Sequence, residues 1–563
     1  MSSNPRGAAV AGPPNSGENQ VTLVLSVVIG ALVGLVVVAF ILLTGRLAAR
    51  MYPAGEAAWR RALVPALGSL FTGYLLWRFF PNARGSGIPQ TKFAIFVTDG
   101  YISLRTVLGK FFCCSASLAS GIALGREGPS VQIGAGIASV LGQRFGLSRE
   151  SLKALIPIGS SAALAAAFNT PIAAVLFSLE EVVGDLHAPV LGSVVLSSAT
   201  SWMVLHLILG DEPLFHVPPY HLVDPKEFLV YAVLGVVGGL GSVVFVKLLL
   251  NLRVWFKSLP ASTVWFQPVA GGLLVGVMGL FMPEVLGVGY DYVERVLGGD
   301  MLLRTVVILA VLKIVATASC YASGNAGGIF GPSLFIGATI GGAVGSVAHA
   351  LFPAWTATPG AYALVGMGAA FAGIVRTPLT SVIMIFEVTR DYSIIVPLMI
   401  ANLISFFVSY RLQRQPIYEA LAYQEGVYLP GEEDRERLTR LRVSDIVRPG
   451  NPVSADATLE SIQARVDASP HKAWPVADGG LLWGLITRSQ FETANGAGLV
   501  SDLVGPNSEF PYVHPDQPLS LALDKMGAAG IDVLPVVSRA DIHKLLGVVT
   551  LNETLNAYGL KRS

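Results

Sequence analysis

Long uncharged apolar runs dominate the first three quarters of the chain. Residues 21–43 form a run of 23 without a charge, and residues 228–246 form another of 19. A helix needs about 20 apolar residues to cross the hydrocarbon core of a bilayer. Further apolar stretches, often interrupted by glycine and proline, continue to residue 410, and after residue 430 they shorten to lengths typical of soluble domains. The pattern predicts an α-helical polytopic membrane protein followed by a soluble region.

Composition supports this interpretation and narrows the partners. Of 563 residues, 53% are hydrophobic and 13% are charged, and the mean hydropathy is +0.61, which excludes an ordinary soluble protein. The net charge of +1 argues against nucleic acid as a partner. The first run is long and lacks a small-residue cleavage site, so a span is predicted rather than a signal peptide. The three cysteines show no metal-ligand spacing, and neither a metal site nor a disulfide framework is expected.

The membrane region repeats itself. Four segments recur in the same order at offsets of 203 to 207 residues. The pairs are "IGALVG" at 29 with "LGVVGG" at 234, "PALGSLFTG" at 65 with "PVAGGLLVG" at 268, "GPSVQIGAGIASVLG" at 128 with "GPSLFIGATIGGAVG" at 331, and "TPIAAVLFSLEEV" at 170 with "TPLTSVIMIFEVT" at 377. Two homologous halves are predicted, compatible with parallel or inverted topology. Transporters built this way hold their substrate at the repeat interface, on broken helices.

The soluble region also contains two similar units. "VSDIV" at 443 recurs as "VSDLV" at 500, and "GLIT" at 484 recurs as "GVVT" at 547. Helices and short strands are expected in each unit. The predicted domains are a disordered tail at 1–20, membrane half 1 at 21–225, membrane half 2 at 226–425, a linker at 426–440, and soluble modules at 441–497 and 498–563.

Charged residues inside an apolar run mark the first candidate site. "GREGP" (residues 125–129) lies between apolar stretches, where a charge costs roughly 2.5–3.5 kcal/mol on insertion scales. The glycines permit a turn, and Pro129 suits the first position of a new helix. A helix that begins inside the membrane presents unpaired N–H groups and a partial positive charge, which attract an anion. Glu127 is then a tethered anion that leaves when protonated; the alternative is a structural pair between Arg126 and Glu127.

Two further Gly-Pro motifs follow the same logic. "GSGIP" (residues 85–89) offers the Ser86 hydroxyl as a donor, although a simple turn at the membrane edge also explains it. "GGIFGP" (residues 327–332) repeats "GREGP" and offers the backbone N–H groups of Ile329 and Phe330 without a charge. A site of N–H groups and hydroxyls suits a small anion that must bind and leave quickly. A ring of arginines would suit phosphate better, so halide-like ions are favoured.

These three motifs, in this order within two halves, resemble the chloride channel/transporter (CLC) family. The soluble region resembles a tandem pair of cystathionine-β-synthase (CBS) modules, which many members of that family carry. The resemblance covers nearly the whole chain after the tail. It implies chloride as substrate, inverted halves, and a homodimer with one pore per subunit. By motif match, Ser86, Ile329, Phe330 and Tyr418 (in "QPIYEAL") would line the chloride path. A bacterial inner membrane, with the CBS modules cytosolic, is the expected location.

The ligand of the CBS pair stays open, because some pairs bind adenine nucleotides and others only mediate dimerisation. In the nucleotide-binding pairs, an aspartate after the strand-end threonine holds the ribose. The corresponding residues here are Gln490 after Thr487 and Glu553 after Thr550. This departure weakens the nucleotide hypothesis, and no cofactor is required for transport.

Proton-coupled members of the family carry a second glutamate near the cytoplasmic side, where channels have an apolar residue. "FSLEEV" offers Glu180 and Glu181, which point about 100° apart on a helix. Glu180 aligns with Glu387 in the repeat, which favours a structural role. Glu181 aligns with Val388 and is assigned the internal proton relay. With Glu127 as the external gate, a chloride/proton antiporter is favoured.

Other functions are weighed against specific features. A passive chloride channel, gated by voltage or pH and regulated by the CBS pair, is the main alternative, and Glu181 argues against it. Fluoride-exporting relatives depart from "GSGIP" at the serine, which this chain keeps. A divalent-cation channel with CBS regulation needs acidic residues that line the pore. The repeat-related sites of this chain are Gly-rich helix starts, which favour anions. The chain has neither HExxH nor a GxSxG elbow, so it is not expected to be an enzyme. The membrane residue Lys110 is expected to snorkel or to form an ion pair.

Overall fold

The structure is a computed structural model that describes most of the chain. The described residues are 16–53, 55, 57–186, 188–211, 213–217, 220, 222–427, 441–479, 481–494, 498–505 and 508–558. Two compact units are present, a membrane unit at Pro14–Leu429 and a soluble unit that contains Pro430–Ser563. Most of the predicted tail (1–15) and linker (428–440) lies outside the described residues. The first helix begins at Ser16, so residues 16–20 are helical and the tail was predicted five residues too long.

Among the described residues of the membrane unit, the regular secondary structure is helical apart from one isolated β-bridge between Gly125 and Gly328. The helices of the first half are α1 (Ser16–Met51), α2 (Ala58–Arg78), α3 (Ile88–Phe96), α4 (Leu104–Ala119), α5 (Glu127–Arg144), α6 (Arg149–Phe168), α7 (Pro171–Phe177) and α8 (Leu191–Leu209). Those of the second half are α9 (Glu227–Ser258), α10 (Gln267–Phe281), α11 (Tyr290–Leu297), α12 (Leu303–Ser323), α13 (Phe330–Leu351), α14 (Pro359–Val375), α15 (Pro378–Thr389) and α16 (Ile395–Leu412), followed by α17 (Ile417–Gln424). Short 3₁₀ turns connect several of them, and a π-helical turn (Ser178–Val183) extends α7.

Among the described residues, seven helices are long and apolar enough to cross a membrane. Others, such as α3, α7 and α11, are only 7 to 9 residues long and cannot span a bilayer alone. Helices α1–α8 correspond in order to α9–α16, so the long and short elements recur in both halves. Half-length helices that begin within the membrane are tolerated because neighbouring protein surrounds their ends.

Small residues let neighbouring helices within each half approach closely. A Cβ added to Gly134 of α5 would lie 2.3 Å from the Gly159 carbonyl oxygen of α6. The equivalent pair in the second half is Gly337 of α13 and Gly366 of α14, where the distance would be 2.4 Å. No side chain fits at either contact, which is the usual way in which membrane helices pack without a hydrophobic driving force.

A reciprocal pair of carboxylates relates the two halves. Glu180 accepts hydrogen bonds from the backbone N–H groups of Leu379 (3.3 Å) and Thr380 (2.8 Å) at the start of α15. Glu387 accepts the equivalent bonds at the start of α7, from Ile172 (2.9 Å) and Ala173 (2.7 Å). Equivalent residues therefore exchange the same contact in both directions, as a pseudo-twofold axis requires. Each carboxylate satisfies orphan N–H groups and faces the positive end of a helix dipole.

The soluble unit contains two similar α/β modules. The first has β1 (Val453–Ser454), α18 (Leu459–Ala468), β2 (Ala473–Asp478), β3 (Leu481–Thr487) and α19 (Arg488–Thr493); the second has α20 (Leu519–Ala529), β4 (Val533–Val537), β5 (Leu545–Thr550) and α21 (Leu551–Ala557). Strand β1 pairs parallel with β2, whereas β2–β3 and β4–β5 are antiparallel. Both antiparallel pairs carry an irregularity at the same place, between Val476 and Ala477 and between Val536 and Val537.

Candidate anion and proton site

The N-termini of α5 and α13 meet in the middle of the membrane unit. The N–H of Gly125 donates to the carbonyl of Gly328, and the N–H of Gly328 donates to that of Gly125, both at 2.7 Å. These glycines are repeat equivalents, so the pseudo-twofold axis passes between them. Helix α5 begins at Glu127, which makes Pro129 its third residue and not its first as predicted. The first N–H groups of a helix lack intrahelical partners, so both ends contribute partial positive charge to this region.

The carboxylate of Glu127 lies at the N-terminus of α13, although Glu127 itself belongs to α5. The side chain is fully buried, and its Oε2 accepts a hydrogen bond from the N–H of Gly331 at 3.1 Å. Its Oε1 accepts a hydrogen bond from the hydroxyl of Tyr290. The Nε of Arg126 is 3.9 Å away, while the Arg126 guanidinium lies over the Tyr290 ring at 5.3 Å from its centroid. The main contacts of Glu127 are therefore an N–H group and a hydroxyl rather than its arginine neighbour.

Ser86 and Tyr418 contribute two buried hydroxyls. Neither hydroxyl has a hydrogen-bond partner in the part of the chain that the structure describes. Ser86 precedes α3, and α3 packs against α17, the helix that carries Tyr418. Tyr418 is close enough to Glu181 and Glu127 to interact electrostatically with both. Buried hydroxyls normally find a partner, so this pair fits a ligand that accepts hydrogen bonds, such as a halide ion.

The Ser86 loop lies directly against α5. A Cβ added to Gly87 would be 2.2 Å from the Gly128 carbonyl oxygen, and Gly87 has a φ of +106°, which favours glycine. These two constraints explain the second glycine of "GSGIP". The close approach holds the start of α3 beside the start of α5.

Ile329 and Phe330 stand at the start of α13 and are both fully buried. The Phe330 ring packs against three other phenylalanines, with centroid distances of 4.7 Å to Phe168, 5.4 Å to Phe177 and 4.4 Å to Phe371. This aromatic packing surrounds the first turn of α13 with apolar side chains. Hydrogen bonds to an ion are stronger in such a low-dielectric environment.

Lys110 holds the backbone of the Ser86 loop. The side chain is fully buried, and its Nζ donates to the carbonyls of Gly85 (2.6 Å) and Ala83 (3.0 Å). The prediction of a snorkelling or ion-paired lysine is therefore wrong. Lys313 in the second half makes the equivalent bonds to Gly287 (2.7 Å) and Val285 (3.1 Å). Two carbonyls of a turn inside the membrane need donors, and one ammonium group satisfies both.

Glu180 and Glu181 lie on the π-helical turn and point in different directions, as predicted. Glu180 binds α15, whereas Glu181 forms an ion pair with Lys92 of α3, at 2.7 Å between Nζ and Oε1. The exposed fractions of the two paired side chains are only 5% and 7%. π-Helical turns are frequent at functional sites, because the extra residue redirects side chains.

Two residues of the site, Tyr290 and Lys92, were not predicted from the sequence. Matching the two Gly-x-Gly motifs at an offset of 202, one residue less than the smallest offset of the repeat, would have found Tyr290, because "GVGYD" (residues 287–291) then lies opposite "GSGIP" and the tyrosine opposite Ile88. A weaker signal existed for Lys92, because a buried carboxylate such as Glu181 calls for a cationic partner.

The CBS positions that would hold a ribose are engaged locally. Gln490 and Thr487 form a capping box, in which the Gln490 Oε1 accepts from the Thr487 N–H at 2.9 Å. Glu553 pairs with Arg448 at 3.0 Å and accepts from the Thr550 hydroxyl at 3.1 Å. Gln490 therefore caps its helix, whereas the Glu553 carboxylate is held by Thr550 and Arg448.

Broken helices in repeated halves, with a carboxylate at the N-terminus of α13 and buried hydroxyls without protein partners among the described residues, are features that suit a membrane protein for small anions. Residues 68–410 match the family described as voltage gated chloride channel, and residues 500–559 match the CBS domain. The chain therefore belongs to the CLC family, and the predicted fold class is confirmed.

Several relatives are similar over most of their length. The H⁺/Cl⁻ exchange transporter ClcA of Vibrio campbellii is 33% identical over 373 residues, which cover 65% of this chain and 80% of the relative. A protein named ClcB-like from Ralstonia nicotianae is 34% identical over 366 residues, covering 64% and 85%. A slow cyanobacterial Cl⁻/H⁺ antiporter of known structure is 28% identical, with a TM-score of 0.66 over 72% of this chain and 97% of that one. A eukaryotic CLC transporter shares the fold over 96% of this chain and 99% of its own, at 20% identity and a TM-score of 0.63.

Proposed function

We propose that the protein exchanges chloride for protons across a bacterial membrane. The observation that carries the proposal is the Glu127 carboxylate at the N-terminus of α13, where it accepts a hydrogen bond from the N–H of Gly331. A tethered anion at a helix end competes for the same donors as a free halide. Relatives named as H⁺/Cl⁻ exchange transporters, at 33% identity, support the same activity.

Chloride passes between the Ser86 and Tyr418 hydroxyls and the N-terminus of α13. Both hydroxyls donate to the ion, and the backbone N–H groups of Ile329 and Phe330 supply further donors. Each contact is neutral, so the ion is held by dipoles and can leave again quickly. When Glu127 takes up a proton, it loses the charge that holds it at α13, and chloride replaces it there.

Protons enter from the cytosolic side through Glu181. The carboxylate of Glu181 accepts a proton and passes it along a water chain to Glu127, and Tyr418 lies close to both groups. Glu127 then moves away from α13 and releases the proton on the opposite side. Lys92 balances the charge of Glu181 between cycles.

The same ion pair favours a second candidate, a passive chloride channel. A carboxylate that is buried against a lysine is often structural, and its pairing opposes protonation. In that case Glu181 only anchors α3, and chloride moves without protons.

Flux in liposomes separates the two candidates. Purified protein is reconstituted, a chloride gradient is imposed with valinomycin present, and internal pH is recorded together with chloride. Uphill proton movement driven by chloride establishes the antiporter. Glu127→Gln and Glu181→Gln are then expected to abolish proton movement, the second while sparing chloride flux.

The matched control is Glu150→Gln, which makes the same chemical change at an exposed carboxylate in the first turn of α6. It is expected to keep both fluxes. Chloride flux without any change of pH in the unmodified protein would identify a channel.

The exposed apolar surface of the membrane unit favours a homodimer. Repeat-related helices α8 and α16 expose large apolar side chains, including Leu207 (79%) and Phe407 (59%), which suit a helix–helix contact between two copies. We place the homodimer in the inner membrane with the CBS modules in the cytosol. We assign the CBS pair to dimer contacts rather than to adenine nucleotide binding, because Gln490 and Glu553 stand in place of the ribose-binding aspartate and are engaged in local contacts with Thr487, Thr550 and Arg448. No cofactor is needed for the transport cycle.

A further inference from the structure

The second copy of the Gly-x-Gly loop has no task in the chloride path described above. Residues 287–290 ("GVGY") correspond to residues 85–88 ("GSGI") in the first half. The backbone of both copies is held in the same way, by a buried lysine that donates to the first glycine carbonyl. The serine of the first copy is replaced by Val288, which offers no hydroxyl. Tyr290 instead supplies one, two residues later.

We propose that Tyr290 is a positioning residue that latches Glu127 at the N-terminus of α13. The latch rests on the proposed role of Glu127 as a gate. It adds the Tyr290 hydroxyl as a second group that holds the gate closed. The Tyr290 hydroxyl donates to Oε1 of the carboxylate, while the Gly331 N–H donates to Oε2. Each oxygen of the gate therefore has its own donor, one from a side chain and one from the backbone.

Two neighbouring side chains, Arg126 and Phe215, hold the Tyr290 ring in place. The guanidinium of Arg126 lies 5.3 Å from the ring centroid, and Phe215 packs edge-on at 5.3 Å. Gly289, with a φ of +83°, turns the chain so that Tyr290 begins α11. A Cβ added to Gly331 would lie 3.0 Å from the Tyr290 hydroxyl, so the hydroxyl is set against the first turn of α13. A ring held in this way loses little conformational freedom when it binds the carboxylate.

The hydroxyl favours the closed position of a charged gate. A hydrogen bond to a charged group is about twice as strong as one between neutral groups. Protonation of Glu127 removes the charge, so the latch weakens together with the contact to α13. Chloride competes with the carboxylate for α13, and loss of the latch is therefore expected to raise the apparent chloride affinity.

The test is chloride binding to the purified full-length protein, measured by isothermal titration calorimetry. Tyr290→Phe removes only the hydroxyl and keeps the ring contacts with Arg126 and Phe215. The dissociation constant for chloride is expected to fall roughly tenfold or more, the usual effect of one hydrogen bond to a charged group. Tyr292→Phe, the same change two residues along α11, is the control and is expected to bind chloride as the unmodified protein does.

The Glu127→Gln background separates a latch from a structural role. There the carboxylate is gone, so adding Tyr290→Phe is expected to leave the chloride affinity unchanged. Unchanged affinity for Tyr290→Phe alone, while Glu127→Gln binds more tightly, would overturn the latch and leave the gate intact. Weaker binding for Tyr290→Phe in both backgrounds would also overturn it, since the hydroxyl would then serve the anion or the fold. If Glu127→Gln itself does not tighten binding, the gate and the latch fail together.

Discussion

The two copies of the Gly-x-Gly loop share a scaffold and differ in chemistry. In both copies a buried lysine, Lys110 or Lys313, satisfies two carbonyls of the turn. The side chains inside the turn differ, with Ser86 in the first copy and Val288 in the second. A turn inside the membrane must satisfy its backbone wherever it occurs, so the lysines are needed twice. A hydroxyl for one anion is needed only once.

The glutamates divide in the same way. Glu180 and Glu387 are repeat equivalents that exchange the same helix-capping contact. Glu127 corresponds to Phe330 and Glu181 to Val388, so neither has an acidic counterpart in the second half. Symmetric charged residues thus hold the two halves together, and asymmetric ones are candidates for transport. We therefore expect substitutions of chemically similar residues to change stability and chloride affinity by different amounts, depending on whether the residue is symmetric or asymmetric.

The largest effect is expected at the asymmetric ion pair of Lys92 and Glu181. Lys92→Met leaves a buried carboxylate without its partner, which costs about 3–5 kcal/mol of stability in comparable cases. The free energy of unfolding of the purified protein, measured at neutral pH, should fall by that amount. The loss should shrink as the pH is lowered, because protonation removes the unpaired charge.

The double variant Lys92→Met, Glu181→Gln provides the control for that experiment. It removes both charges and is expected to recover most of the stability. If the double variant were as unstable as Lys92→Met alone, packing of the lysine stem would matter and not the pairing of charges.

The next largest effect concerns chloride affinity and the unequal loops. Ser86→Ala removes a buried hydroxyl donor and should weaken chloride binding roughly tenfold, the usual value of one hydrogen bond to a charged group. Val288→Ala is the matched truncation in the second loop and should change the affinity less than about twofold. Calorimetric titration with chloride measures both. Equal losses would mean that the two loops contribute alike to the anion site.

The sequence predicted the scaffold better than the contacts within it. Repeat offsets and glycine–proline motifs locate the half-helices, because a turn inside a bilayer requires those residues whatever surrounds it. The starts of α5 and α13 were predicted within two residues, and Glu180 and Glu181 diverge as the helical period requires. These features depend on local geometry alone.

Contacts between the halves were beyond the sequence pattern. Nothing local indicates that Glu127 of one half reaches α13 of the other, or that Tyr290 meets it there. Lys110 was misjudged because snorkelling is the usual state of a membrane lysine, and the carbonyls that capture it come from a loop 25 residues earlier. Such partners are fixed by tertiary packing and need coordinates.

A smaller effect, of similar size at both positions, is expected for the symmetric carboxylates. Glu180→Ala and Glu387→Ala each remove a cap from the partner half, at α15 and α7 respectively. Loss of a helix cap costs about 1 kcal/mol. Chemical unfolding should therefore show a loss of this order in both variants, somewhat larger for Glu180→Ala because Glu180 also accepts from the Thr380 hydroxyl at 2.6 Å, with chloride affinity unchanged in both. A difference of several kcal/mol between them would show that the scaffold is not symmetric in strength.

The smallest effect is expected at Asp211, beyond the end of α8. Its carboxylate accepts hydrogen bonds from Arg390 (2.5 and 3.2 Å) and from His206 (2.9 Å). These bonds, with Arg390 first, lower the pKa of Asp211 to about 2. A lowered pKa adds stability that is present above the unfolded value of about 3.9 and is lost as the pH falls towards the folded one. The contribution of this carboxylate is therefore constant between about pH 5 and 8.

Solvent reduces that contribution further, because the exposed fractions of the Asp211 and Arg390 side chains are 59% and 60%. Water and salt screen such a pair, so it adds little to the free energy of unfolding. Asp211→Asn is expected to melt at the same temperature as the unmodified protein at every pH between about 5 and 8, as measured by scanning fluorimetry. A lower melting temperature across that range would mean that the pair is shielded from solvent in the assembled protein. Asp211 would then belong with Glu180 and Glu387 among the carboxylates that hold the two halves together.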